Sequence, residues 1–232
     1  MKIDLINLLE KNFVEKNIKI NSETIESKTK NQFTKPIKIK RKIKIDEQVL
    51  YALGLWEGDK YIYGGSVGLT NTSSELLQEF KEFIKKIIKN QKSIKEISIN
   101  SGTAKRIYVN SWLLKRILEK LTEKIERYIK SKKDLLTYLS GKIDADGTIM
   151  VQNFYSKSGL IKITYGSKKE AEKDKKLLEK FKLKASIIPY KDRNAYDLKI
   201  TYLSSFEILN HLKLKNPEKQ IKLLILKGLT RR

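Results

Sequence analysis

The sequence predicts an α+β chain made of two tandem units of one plan, α-β-β-α-β-β-α, with antiparallel sheets. Apolar residues recur at helical spacing in its long segments and alternate with polar ones in the short segments between them. That order of segments occurs twice, and an internal repeat of this size governs the fold. Two related stretches, "ALGLWEGDK" (Ala52 to Lys60) and "LSGKIDADG" (Leu139 to Gly147), fall at the same place in each copy.

Residues 1–45 form an N-terminal extension. It offers an amphipathic helix in "IDLINLLEKNF", then turns polar, and ends in "KPIKIKRKIKI". The last run alternates Lys or Arg with Ile and suits either an edge strand or a basic arm along phosphates. The first unit, 46–130, opens with the helix "DEQVLYALGLWEG", for which Asp46 is the N-cap. A strand pair around Gly64 and Gly65 follows, then the helix "SSELLQEFKEFIKKIIKN". "KEISIN" and "TAKRIYVN" are a second strand pair, and "SWLLKRILEKLTEKIERYI" closes the unit as a helix. The polar stretch "KSKKD" marks the boundary.

The second unit, 131–232, repeats the order. Its opening helix is "SKKDLLTYLSGKIDA", and "TIMVQNF" and "LIKITY" are its first strands. The helix "SKKEAEKDKKLLEKF" comes next, then "ASIIPY" and "YDLKITY" around the turn "KDRN", and the helix "SSFEILNHLKL". A last helix with a basic end is read in "NPEKQIKLLILKGLTRR".

Composition narrows the chemistry. The chain has 50 Lys and Arg against 27 Asp and Glu, a net charge of +23, which attracts polyanions. Nucleic acid is the leading partner. An acidic membrane surface is the runner-up, with little beyond the charge to support it, so no membrane partner is expected; a membrane-spanning role is not expected either, since nothing approaches the roughly 20 continuous apolar residues of a spanning helix. The start does not resemble a signal peptide, so an intracellular, cytoplasmic protein is expected. There is no Cys, and His211 is the single histidine. Thiol nucleophiles, Ser-His-Asp triads and multi-histidine metal sites are thereby excluded, leaving carboxylates, lysines and hydroxyls.

The two related stretches concentrate acid where helices end, although helix C-termini favour positive charge. Laid over one another, they match Gly54 with Gly141, Glu57 with Asp144, Gly58 with Ala145 and Asp59 with Asp146. Small residues at i and i+4 let two such helices pack with their backbones close. Packed so, they bring Asp59 and Asp146 together, and the carboxylates and terminal carbonyls, those of Gly58 and Ala145 among them, invite a hard cation. Mg²⁺ suits such a site because it takes one or two carboxylates, keeps waters and shares phosphate oxygens. Mn²⁺ is an alternative and Ca²⁺ a non-cleaving substitute. An EF-hand is not the source of "DADG", because Lys142 and Asn153 occupy positions that its pattern reserves for acids.

"LSGKIDADG" resembles the signature of the LAGLIDADG homing endonucleases, departing from it at Ser140 and Lys142, and "ALGLWEGDK" resembles a degenerate copy. In that copy Lys60 replaces the closing glycine and Glu57 the earlier aspartate. The resemblance implies a pseudo-two-fold monomer whose two four-stranded sheets form a saddle on double-stranded DNA. It also implies that Asp59 and Asp146 hold divalent metal and cut both strands.

Alternation within the strands assigns their faces. Thr148, Met150 and Gln152 point outward in one strand, Lys162 and Thr164 in the next, and Asp197, Lys199 and Thr201 in a third. Arg106, Tyr108 and Asn110 do so in the first unit. These are the DNA-contact candidates, since Arg and Lys match guanine while Asn and Gln match adenine. Lys199 resembles the basic residue that the family carries near its metals, and its counterpart is Arg106 or Tyr108, depending on register. The expected function is site-specific, Mg²⁺-dependent cleavage of double-stranded DNA. The alternative is a non-cleaving DNA- or RNA-binding protein on the same scaffold, an intron maturase or transcription regulator. With no Cys and an "LTRR" end, protein splicing is not expected, and a free-standing reading frame, carried by an intron or not, is.

Overall fold

In the computed structural model, which describes residues 1–28, 36–150 and 161–229, the chain divides into two units, Met1–Tyr128 and Ile129–Arg232. Residues 1–45 are built into the first unit. The helix expected in "IDLINLLEKNF" is broken into three pieces: strand β1 (Lys2–Asp4), a short 3-10 turn (Leu5–Leu8) and helix α1 (Lys11–Asn17). Asp4 causes the break, because its carboxylate accepts the Ile6 N–H at 3.1 Å and pairs with Arg41 at 2.7 Å. Strands β2 (Ile18–Ile20), β3 (Thr24–Ser27) and β4 (Ile39–Lys40) form a three-stranded sheet, and β5 (Lys42–Lys44) pairs antiparallel with β1. The alternating basic run thus folds as strands with Ile39, Ile43 and Ile45 buried. Phe13 packs edge-on against Trp112 at 5.5 Å, with the Arg116 guanidinium 4.1 Å from the Phe13 ring centre.

The remainder of the unit follows the expected order. Helix α2 (Glu47–Asp59) starts at Asp46, whose carboxylate accepts the Val49 N–H at 3.0 Å and Lys86 Nζ at 3.1 Å. It is buried on all sides from Val49 to Trp56. Strands β6 (Lys60–Tyr63) and β7 (Ser66–Asn71), helix α3 (Ser74–Ile87), strands β8 (Ile94–Ile99) and β9 (Ala104–Asn110) and helix α4 (Trp112–Glu123) complete it. The antiparallel sheet runs β6-β7-β9-β8. Apolar faces of α3 (Leu76, Phe80, Phe83) and α4 (Leu114, Ile117, Leu121) supply its core.

The second unit opens with α5 (Lys132–Asp146), fixed at its start by a reciprocal capping box between Ser131 and Asp134. Strands β10 (Gly147–Ile149) and β11 (Ile161–Tyr165), helix α6 (Lys168–Lys180), strands β12 (Ala185–Pro189) and β13 (Tyr196–Ile200) and helix α7 (Tyr202–Leu209) follow. The sheet order β10-β11-β13-β12 repeats that of the first unit. Helix α8 (Pro217–Leu229) ends the described chain with Pro at its first position, where a missing N–H costs nothing. Among the described residues, no helix is long and apolar enough to cross a membrane.

Both motif helices are followed at once by a strand, and Gly147 shows what that turn requires. A Cβ at Gly147 would lie 2.5 Å from Ile143 Cα and 2.7 Å from the Ile143 carbonyl oxygen. Only glycine lets the chain leave α5 so close to its last turn.

Candidate nucleic-acid interface and metal centre

Asp59 and Asp146 are each the last residue of a motif helix, so the two copies place a carboxylate at the same structural point. Asp59 is half-buried, and its Oδ2 accepts the Asn71 side-chain N–H at 2.6 Å. Asn71 ends β7, and its own Oδ1 accepts the Ser73 N–H at 2.7 Å, so the amide is fixed from both sides. Asp146 is exposed. The acids that precede them by two positions differ in burial. Glu57 is half-buried, whereas Asp144 is 1 % exposed and its carboxylate accepts the N–H groups of Lys215 at 2.6 Å and Asn216 at 3.2 Å. Asp144 is thus an anchor for the chain that leads into α8.

The backbone carbonyls differ too. Gly58 and Ala145, the candidate carbonyl ligands, are both half-buried. Lys219 Nζ donates to the carbonyls of Ile143 at 2.7 Å, Asp144 at 2.8 Å and Ala145 at 3.1 Å. Among the described residues no group of three or more His, Cys, Asp or Glu could hold a metal ion. A cation held at Asp59 or Asp146 would need carbonyl, water or phosphate oxygens beside the carboxylate, and such an oxygen-only donor set is of the kind that Mg²⁺ takes.

Strand register settles how the outward faces correspond. Gly147 pairs with Ile163 and Ile163 with Leu198, while Lys60 pairs with Leu69 and Leu69 with Ile107. One residue on, Thr148, Lys162, Lys199 and Ser186 form a row that matches Tyr61, Gly68, Tyr108 and Lys95. Lys199 therefore corresponds to Tyr108, and Arg106 corresponds to Asp197. Lys162 stands directly opposite Thr148, and Lys199 lies one strand further out, about 10 Å from Thr148 at two strand spacings. Of the two lysines, Lys162 is nearer the strand that follows Asp146.

The two faces carry different chemistry. In the first unit a Cβ at Gly68 would fall 2.1 Å from the Ile107 carbonyl oxygen. The bare strand there lets Tyr61 and Tyr108 meet edge-on across it at 6.0 Å. Arg106 stacks 3.8 Å from the Tyr61 ring centre and donates Nε to Thr70 Oγ1 at 3.0 Å. Asn110 is exposed, and its Oδ1 accepts the Ser66 hydroxyl at 2.8 Å.

In the second unit the Asp197 carboxylate accepts Thr164 Oγ1 at 2.7 Å, Lys162 Nζ at 3.0 Å and Tyr190 OH at 3.1 Å. Burial works against its charge, but those three hydrogen bonds and the Lys162 charge outweigh it and hold Asp197 below the usual carboxylate range. The bond to Asp197 holds Lys162 above the ordinary lysine value against the opposing effect of burial. Asp197 thus organises three neighbours on the face. Thr148 is exposed and Met150 half-buried, while Thr201 precedes α7. Gln152 lies outside the described residues.

Inside the second unit, Lys142 forms a buried ion pair with Asp174 at 2.8 Å. Tyr165 OH donates to Asp174 Oδ2 at 2.7 Å and Tyr138 OH to Oδ1 at 3.3 Å. The motif's lysine is therefore structural, and its partner sits on α6.

Sequence reasoning missed Asn71, Lys219, Tyr61 and Tyr190. Tyr61 was within reach, since it follows Asp59 by the spacing at which Thr148 follows Asp146.

No protein-family model matches the sequence, and no curated protein matches it. Solved structures do. A structure of I-DmoI in complex with DNA and Ca is 19% identical, covers 78% of this chain and 97% of that one, and gives a TM-score of 0.54. I-DmoI in complex with DNA and Mn is 18% identical, covers 72% and 96%, and gives 0.53. The N-terminal LAGLIDADG domain of DUF199/WhiA is 15% identical over 76% of this chain and 87% of that one, with a TM-score of 0.48. The chain shares its fold with the homing endonuclease I-DmoI.

Proposed function

We propose that this chain is a site-specific endonuclease of double-stranded DNA that hydrolyses phosphodiesters with divalent metal held by Asp59 and Asp146. The observation that carries the reading is the repetition of a carboxylate at the last residue of a motif helix in each unit, directly before a four-stranded antiparallel sheet. The net charge of +23 and the Arg, Lys, Tyr and Asn side chains on the strands supply what phosphate and base contact needs. I-DmoI, of the same fold, has been seen with DNA and with Mn or Ca, which supports the choice of partner and of cation class.

When bound, the metal supplies Lewis acidity and an activated water for in-line displacement. The chain's own residues hold and place it. Asn71 donates its side-chain amide to the Asp59 carboxylate and orients it. Lys162, kept cationic by Asp197, stands on the row that begins at Thr148 and suits a phosphate near the scissile position. Lys199 is the second basic group of that row. The reading carries with it Mg²⁺ as the working ion, a monomer inside the cell, and an intron as the host element, with intron RNA a further partner.

A second reading, a non-cleaving DNA or RNA binder on this scaffold, is favoured by one specific observation. Lysines stand at both motif ends, Lys60 directly after Asp59 and Lys219 on the carbonyls before Asp146. Incubating the protein with a randomised duplex library, with and without Mg²⁺, separates the two. The endonuclease reading predicts enrichment of cut ends at one site in Mg²⁺ and none without it. Recovery of a discrete bound site that stays intact in both Mg²⁺ and Mn²⁺ establishes the binder.

A further inference from the structure

Strand register puts one row of residues at the same place on the outward face of each unit's sheet. In the first unit the row is Thr70, Arg106 and Ile97, and in the second it is Thr164, Asp197 and Ile188. The flanking residues are identical, and both isoleucines are exposed, Ile97 by 39% and Ile188 by 48%. Only the middle residue differs, and it differs in the sign of its charge.

Each middle side chain is held by neighbours on its own face. Arg106 donates Nε to Thr70 Oγ1 at 3.0 Å and lies 3.8 Å from the Tyr61 ring centre, which fixes the plane of the guanidinium. With Nε spent and one face stacked, the edge it can offer a ligand is the fork of Nη1 and Nη2. Asp197 Oδ2 accepts Lys162 Nζ at 3.0 Å and Tyr190 OH at 3.1 Å, while Oδ1 accepts Thr164 Oγ1 at 2.7 Å. A carboxylate oxygen has two lone-pair sites, so Oδ1 can take one more donor.

We propose that Arg106 selects a guanine and Asp197 a cytosine in the major groove of the target, so that the same row of the two copied units reads opposite bases. The inference rests on the DNA-binding part of the reading above. Guanine presents two acceptors, O6 and N7, which the guanidinium fork matches with two parallel hydrogen bonds. Cytosine presents the N4 amino group, a donor for Asp197 Oδ1. The carboxylate also works by exclusion, because it faces the acceptors of guanine or thymine with negative charge. Holding both side chains in place before binding lowers the entropy lost when the base is engaged.

The test is selection of duplexes from a randomised library by the full chain in Ca²⁺, so that binding alone is read, for wild type, Arg106→Gln, Arg106→Lys and Asp197→Asn. Circular dichroism melts confirm that each is folded. Arg106→Gln should erase a guanine preference of about tenfold to a hundredfold at one base pair and leave the other positions as they were. Arg106→Lys keeps the charge without the fork and should restore only part of that preference. Asp197→Asn should turn a cytosine preference at a second base pair toward adenine, the base that a side-chain amide matches. 7-Deazaguanine, which lacks the N7 acceptor, is placed in turn at each guanine of the selected site and tests wild type alone. One such replacement should weaken wild-type binding and leave Arg106→Gln binding unchanged. An Arg106→Gln loss shared equally by all sequences, an Asp197→Asn site identical to that of wild type, or wild-type binding indifferent to every 7-deazaguanine overturns the proposal and leaves the DNA reading standing. A wild type that enriches no sequence overturns the site-specific reading and the proposal together.

Discussion

Asn71 donates its side-chain amide to Asp59 at 2.6 Å while accepting the Ser73 N–H at 2.7 Å. This one residue connects the acid that ends the first motif helix to the entry of α3. A carboxylate so held cannot swing freely among rotamers.

Replacing Asn71 should therefore harm chemistry more than folding. A hydrogen bond to a charged group contributes about 1.5–3 kcal/mol, so Asn71→Ala should slow cleavage by about tenfold to a hundredfold. Asn71→Asp should do more, since a second carboxylate raises the pKa of the first and moves the acid limb of the pH–rate profile upward. Strand-specific nicking rates across pH, set beside circular dichroism melts, measure both effects.

Gly147→Ala should destabilise the second unit. The added methyl meets Ile143 Cα at 2.5 Å, and relief requires moving the last turn of α5, where Asp146 sits. Overpacking of this kind costs about 1–3 kcal/mol, read as a lower urea midpoint. The substitution should also reduce cleavage, because the turn that shifts carries the acid.

The buried pair of Lys142 and Asp174 predicts an asymmetry between single and double changes. Lys142→Met alone strands Asp174, which is 0 % exposed, and should cost about 3–5 kcal/mol. Adding Asp174→Asn to Lys142→Met should recover part of that loss, because the amide still meets the hydroxyls of Tyr138 and Tyr165. Equilibrium denaturation of the four proteins forms the cycle.

The pair of Lys162 and Asp197 predicts a pH dependence with a defined sign. Asp197 is lowered on folding, so its contribution is present above its unfolded pKa of about 3.9 and is lost as pH falls through the folded value. Lys162 is raised, so its contribution is present below its unfolded pKa of about 10.4 and disappears as pH rises through the folded value. Between those limits the pair adds no slope. Asp197→Asn should flatten the acid limb of stability against pH, measured by urea denaturation from neutral pH downward.

Much of this architecture was legible in the sequence because period and repetition encode it. The order α-β-β-α-β-β-α, the N-cap Asp46 and the buried residues Ile149, Ile161, Ile163, Leu198 and Ile200 all follow from local patterning. Contacts that join distant positions were not legible. Nothing near Lys142 names Asp174 as its partner, and nothing near Asp144 names the backbone of Lys215. Register was open for the same reason, since alternation fixes faces but not which residue stands opposite. The counterpart of Lys199 needed the pairing of Leu69 with Ile107 and of Ile163 with Leu198 before it could be given as Tyr108. In the N-terminal stretch, a local apolar period was overridden by Asp4, whose capping bond and ion pair with Arg41 end the helix before it begins.

Whether the acids closing α2 and α5 cut DNA is decided by strand-resolved cleavage of the selected duplex in Mg²⁺ by wild type, Asp59→Asn and Asp146→Asn. Wild type should make a double-strand break and neither variant should, with binding of the duplex retained. Double-strand cleavage by both variants at the wild-type rate, or a wild type that binds its duplex and leaves both strands whole, would contradict that role of the two acids.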